Sequence, residues 1–180
     1  MKKVIFIMLL TFLTMTVKAQ ESNYIRISGD AGLVVNTSRD KKFGMGGTIG
    51  WLTVDNWILS SRNNYITIHL KGFNNPYEQG KLISSILNDK SDAFNYITPM
   101  IGYRFTQSGV SNGFFVEPRV GVSFGSNYTA FAFSPLGGYA YENLEFSLFC
   151  DMGFSGKNSA IREKNFFTPG ISVAYNITMY

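Results

Sequence analysis

The sequence predicts an all-β fold, eight antiparallel strands closed up-and-down into a transmembrane β-barrel. Three observations carry that prediction. Apolar and polar residues alternate with period two along most of the chain. The alternating segments number eight and are joined in turn by short and longer connections. The face opposite the apolar one is built largely from Gly, Ser and Ala instead of the Lys, Glu and Thr of a solvated face.

Composition narrows the classes first. The chain has 180 residues, 45% hydrophobic, 16% aromatic and 16% charged, where soluble domains carry about a quarter charged. This is one domain's worth of chain. Low charge with 18 Gly, 16 Phe and 10 Tyr excludes a disordered chain and a coiled coil, and a single Cys excludes a disulfide scaffold. Most of the formal charge of +4 sits at the N-terminus: without Lys2, Lys3 and Lys18, the 16 basic residues fall to 13 against 12 acidic ones. A near-neutral remainder carries no nucleic-acid signature.

Lys2 and Lys3 precede an uncharged apolar run from Val4 to Val17, which ends at Val17-Lys18-Ala19. This pattern predicts a cleaved export signal over residues 1–19 and a barrel domain over 20–180. The run is too short to be an anchor, since a bilayer needs about twenty residues. Gln20 rather than Cys follows Ala19, so no lipid attachment is expected there.

The elements follow in order. Ile25 to Val35 places Arg26, Ser28 and Asp30 on its polar face, and Phe43 to Val54 places Gly44, Gly46, Thr48 and Gly50 there. Trp57 to Lys71 switches apolar parity between Leu59 and Ile66, which predicts a bulge or bend. Ile97 to Phe105 sets Ile97, Ile101, Tyr103 and Phe105 against Thr98, Gly102 and Arg104. Phe114 to Gly125 alternates Phe114, Val116, Val120, Val122 and Phe124 with Phe115, Glu117, Arg119 and Ser123. Phe131 to Tyr141, Leu144 to Ser155 and the last segment from Phe167 to Met179 alternate in the same way. Asp55-Asn56, Gln107 to Asn112 and Glu142-Asn143 read as the short turns; Asn36 to Lys42, Gly72 to Phe94, Asn127 to Thr129 and Lys157 to Lys164 read as the loops. The N-terminus then lies at the periplasmic end.

Two solutions share this pattern: a lipid-embedded barrel with its apolar face outward, and a secreted lipocalin-like ligand-binding barrel with that face inward. The small residues of the polar face favour the first, because they suit the crowded interior of an eight-stranded barrel. Aromatics add to this. Trp57, Phe105, Phe114, Tyr139, Tyr141, Phe146 and Tyr175 gather at one level and Phe124, Phe131, Phe133, Phe154 and Phe167 at the other, around an aliphatic belt.

With these residues in place, the chain resembles the small eight-stranded outer-membrane β-barrel proteins of Gram-negative bacteria, the OmpX-like and OmpA-barrel-like family. Thr98-Pro99-Met100-Ile101-Gly102-Tyr103, Ser134-Pro135-Leu136-Gly137-Gly138-Tyr139 and Glu142-Asn143-Leu144 look like the Ser-Pro…Gly-Tyr strand and Asp-Asn-Leu turn of that family. The resemblance implies outer-membrane lipid as surroundings, recognition by the outer-membrane assembly machinery through a terminal aromatic, and a monomer. Tyr180 is aromatic but falls off the Tyr175, Ile177 and Met179 face.

If the polar face is interior, it brings Arg26, Arg104 and Arg119 together with Asp30, Glu117, Glu145 and Asp151. Such groups in a narrow bore neutralise one another as ion pairs and form a structural plug; the competing reading is a selective ion path. His69 is the only His and is expected as a lone interfacial residue; Glu78, Ser84 and Ser85 are the conceivable partners of a lipid-hydrolysing triad, without a nucleophile motif. Cys150 faces lipid at mid-belt as a small hydrophobe, and no catalytic, cofactor or metal site is expected. In the 72–94 loop, Leu82, Ile83, Ile86 and Leu87 recur at helical spacing and predict a short amphipathic helix, a stripe for a surface partner. The function expected is therefore a non-enzymatic structural or surface-interaction role through extracellular loops; the alternative is passage of small or hydrophobic molecules, as in OmpW-like barrels.

Overall fold

A computed structural model of the chain describes residues 23–35, 42–59, 61–76, 93–125, 129–155 and 165–179. Ten strand segments follow one another: β1 (Asn23–Leu33), β2 (Phe43–Asp55), β3 (Ser61–Pro76), β4 (Ala93–Thr106), β5 (Asn112–Glu117), β6 (Arg119–Gly125), β7 (Thr129–Phe133), β8 (Leu136–Tyr141), β9 (Leu144–Phe154) and β10 (Asn165–Met179). They make a ring of eight spanning strands, because β5 with β6, and β7 with β8, are halves of single strands.

Proline causes both interruptions, since it has no N–H to give to a ladder. The sequence reading ran Phe114–Gly125 and Phe131–Tyr141 through without a break. In the structure Pro118 separates β5 from β6, and Ser134-Pro135 separates β7 from β8. The wall stays closed there because the carbonyls still accept: Tyr103 N donates to Pro118 O (3.2 Å), Ser134 N to Arg119 O (2.8 Å) and Cys150 N to Pro135 O (3.2 Å).

Every neighbouring pair is antiparallel, and the sheet closes where β1 meets β10, from Asn23↔Met179 to Gly32↔Gly170. Closure leaves no unpaired edge in the ring. The period-two reading assigns the faces correctly. Ile49, Leu70, Ile101, Leu148 and Ile171 are exposed on the outside, while Arg26, Thr48, Arg104, Ser123 and Thr168 are buried within. With the apolar face outward, the lipocalin-like alternative is excluded and the fold is a transmembrane β-barrel. The aromatic levels also follow from register: Phe114, Tyr139 and Phe146 lie in one row, and Phe133, Met152 and Phe167 in another towards the opposite end.

The third strand corrects the sequence reading. It begins at Ser61 rather than Trp57, and residues 56–59 are bends. Asp55 pairs with Ser61, with a register shift between Val54 and Asp55. Val54 pairs with Tyr65 but Asp55 with Ser61, so the ladder is irregular between Ser61 and Tyr65, where the parity switch predicts a bulge or bend; Asp55-Asn56 is the start of a turn instead of a two-residue hairpin. At its other end β3 pairs with β4 as far as Pro76↔Ala93, so residues 72–76 and 93–94, expected in the loop over 72–94, are strand. Leu82, Ile83, Ile86 and Leu87 lie outside the described residues, as do Glu78, Ser84, Ser85, Tyr180 and the 1–19 segment. No described helix is long and apolar enough to cross a membrane, which says nothing of strands.

Candidate functional site

The interior has three storeys, each dictated by which side chains the inward parity delivers. At the end carrying the short turns, Leu52, Tyr65 and Val110 form a buried apolar cluster with Tyr24 and Val54 packed against it. At the end carrying the loops, Phe73, Phe94, Tyr96 and Phe166 interlock, with Phe94 and Phe166 ring centroids 5.1 Å apart. Between these plugs lie the charges.

Glu117 and Glu145 organise one half of the charged layer. Glu117 accepts from Arg104 Nε at 2.6 Å, from Thr67 Oγ1 at 3.0 Å and from His69 Nε2 at 2.5 Å. Glu145 accepts from Arg26 Nε at 2.8 Å, from Asn176 Nδ2 at 2.7 Å and from Arg104 NH1. Arg104 therefore joins the two carboxylates while its guanidinium carbon stands 4.2 Å from the Phe115 ring centroid.

Asp30 and Asp151 organise the other half. Lys71 Nζ lies 2.8 Å from Asp151 and 3.4 Å from Asp30, and 3.3 Å over the Phe149 ring. Ser28 and Thr48 donate to Asp30 at 3.0 and 2.6 Å. Tyr96 OH and Ser134 Oγ donate to Asp151 at 2.6 and 2.5 Å. Arg119 holds Ser134 twice, at its carbonyl and at its hydroxyl, both at 2.8 Å. Its guanidinium thereby bridges the gap that Pro135 leaves in the ladder.

All seven ionisable residues expected in the bore, Arg26, Asp30, Arg104, Glu117, Arg119, Glu145 and Asp151, are buried inward. Two more join them. Lys71, 1% exposed, raises the cations to four against four carboxylates, correcting the count of three. His69, 2% exposed, faces the bore and is not a lone interfacial residue. A carboxylate can only accept, so Nε2 carries the hydrogen towards Glu117, and Nδ1 is left without a partner beside Gly50. With a neutral His69 the four cations and four carboxylates of this layer balance. Both residues were legible in principle, since Ile66, Ile68 and Leu70 outward put Thr67, His69 and Lys71 inward; the false strand start hid this.

At the turn end Asp55 has no exposed surface. Its carboxylate accepts from Trp57 N (2.8 Å), Ile58 N (2.7 Å), Leu59 N (2.7 Å) and Tyr103 OH (2.5 Å). Removal from water pushes this carboxyl up, but the Tyr103 phenol and the three turn N–H groups outweigh it and hold it well below the usual carboxylate range. No group of three or more candidate metal ligands occurs among the described residues.

Closed ring, outward apolar band and filled polar bore define the class: a small eight-stranded transmembrane β-barrel. Solved structures share that fold. Neisserial surface protein A (NspA) aligns with a TM-score of 0.59 and 12% identity over 87% of this chain and 97% of its own. Ail, the attachment invasion locus protein of Yersinia pestis, aligns with a TM-score of 0.56 and 12% identity over 87% and 99%. The same protein in complex with the heparin analogue sucrose octasulfate gives 0.52 and 11%. No family model matches the chain, and no curated protein matches it.

Proposed function

We propose that this protein is a non-enzymatic integral barrel of an outer membrane, with a structural or surface-interaction role exercised through its loops. Residues 1–19 act as the export signal, 20–180 form the barrel, and the molecule is delivered by the outer-membrane assembly machinery into outer-membrane lipid as a monomer. The observation that carries this reading is the bore. Arg26, Lys71 and Arg104 are tied to four carboxylates across it and Arg119 to Ser134, between two apolar plugs, so the interior serves as a brace and the loops are the parts left to meet a partner. His69 is engaged by Glu117 inside the bore, away from the membrane surface where a lipid-modifying base would have to work. The names of the two structural neighbours, a surface protein and an attachment protein, support a surface role.

Photocrosslinking from Ile83 or Ile86 in intact cells tests the loop role. A discrete protein or lipid adduct is expected at these residues. Absence of any adduct, together with steady solute conductance of the purified barrel in planar bilayers, would replace this reading with passage through the bore.

A further inference from the structure

The turn between β2 and β3 carries three consecutive apolar side chains that no strand claims. Trp57 is 89% exposed, Ile58 64% and Leu59 59%. Such a run on a short turn is unfavourable in water and calls for a reason. The turn is also not loose. Asp55 receives the N–H groups of all three residues, and Tyr103 OH donates to the same carboxylate, so each oxygen accepts two hydrogen bonds. The one acidic group of the turn is thereby consumed underneath it, and Asn56 to Leu59 present no charge outward.

We infer that Trp57, Ile58 and Leu59 form a membrane wedge that dips into the lipid interface at the turn end of the barrel, with Asp55 and Tyr103 as positioning residues that hold its shape. The occupant is lipid because the wedge continues the band that lipid already covers. Phe105 (41% exposed) lies next to Tyr103 on that band, and Phe114 and Tyr141 are exposed at the same end. Trp prefers the headgroup level of a bilayer, and neighbouring aliphatics add buried apolar area just below it. The strand aromatics of the band differ in kind, being fixed by ladder register; the wedge is held by one carboxylate. Preforming the turn means that little backbone freedom is lost when it enters the interface.

Trp51 and Trp57 are the only tryptophans, which makes a direct experiment possible. Trp51 Nε1 has no hydrogen-bond partner, so Trp51→Phe costs none and leaves Trp57 as the sole reporter. The folded full-length barrel is placed in phosphatidylcholine vesicles whose acyl chains are brominated near the headgroup or near the tail. Loss of most Trp57 emission with the shallow label, smaller loss with the deep one, and protection from acrylamide are expected. Acrylamide quenching like that of free indole, without bromolipid quenching, overturns the inference, whether the turn then meets water or a soluble partner. A second reporter, Leu148→Trp in a Trp51→Phe, Trp57→Phe background, separates this from failure of the membrane reading, since Leu148 lies on the outward band. Deep quenching there with none at Trp57 refutes the wedge alone. Tyr103→Phe removes only the phenol bond, and Asp55→Ala removes all four. Bromolipid quenching that falls stepwise across them supports positioning by Asp55, and quenching unchanged in a folded Asp55→Ala barrel refutes it.

Discussion

Lys71 Nζ lies 2.8 Å from Asp151 Oδ2, a contact that spans the full width of the molecule. Counted around the ring with β5/β6 and β7/β8 as single strands, β3 and β9 stand opposite each other. A side-chain bond on that diameter crosses the bore and narrows it at its level.

Lys71→Met removes a cation within salt-bridge reach of both Asp30 and Asp151 and leaves buried carboxylates in excess. Breaking a buried pair from one side costs about 3–5 kcal/mol. Urea unfolding of the barrel in vesicles, followed by loss of the compact form on unheated gels, is expected to show a loss of that size.

Glu117→Gln keeps the shape but removes the charge that Arg104 and His69 share. Stability is expected to fall by about 3 kcal/mol, with single-channel conductance in planar bilayers unchanged. A large rise in conductance would show the charged layer to be a gate and not a brace.

Glycines on the two faces are not equivalent. A Cβ on Gly121 would overlap the Pro99 carbonyl oxygen, a backbone atom that cannot turn aside, whereas one on Gly29 meets nothing within 4 Å. Gly121→Ala is expected to destabilise by about 1–3 kcal/mol, as overpacking does, and Gly29→Ala to be close to neutral in the same unfolding assay.

The turn at Asp55 predicts its own pH dependence. A carboxyl depressed in the folded state contributes fully above its unfolded value, about 3.9, and loses that contribution only as pH falls through the lower folded value. In the Trp51→Phe barrel, Trp57 emission should therefore hold constant from pH 7 to about 4 and change only in stronger acid. An emission change centred at the ordinary carboxylate value would show that the four hydrogen bonds do not persist.

The faces of the strands were legible in the sequence because lipid imposes a simple demand: Val120, Val122, Leu148, Ile171 and Val173 must point out, and a single register slip would expose Arg119 or Asp151 to hydrocarbon. Where that demand stops, so does the signal. Trp57, Ile58 and Leu59 are as apolar as a strand and were read as one, since an Asp55 carboxylate capping three N–H groups leaves no trace in hydropathy. The pairings of the bore were beyond reach for a different reason. Arg26 and Glu145 are 119 residues apart, and which inward residues meet depends on the stagger of closure, which no local pattern encodes. Lys71 and His69 were hidden by the false start of their strand, although Leu70 between them faces out.

The charged layer also constrains how the molecule can reach its final place. Its cations come from β1, β3, β4 and β6, while three of its four carboxylates come from β5 and β9. A hairpin of β3 and β4 entering hydrocarbon alone would carry Lys71 and Arg104 with no counter-ion. Glu145 and Asp151 would be stranded on β9 in the same way. Crossing the bilayer and joining the first strand to the last are thus coupled, and an open intermediate parked in lipid is the state this arrangement of charges penalises.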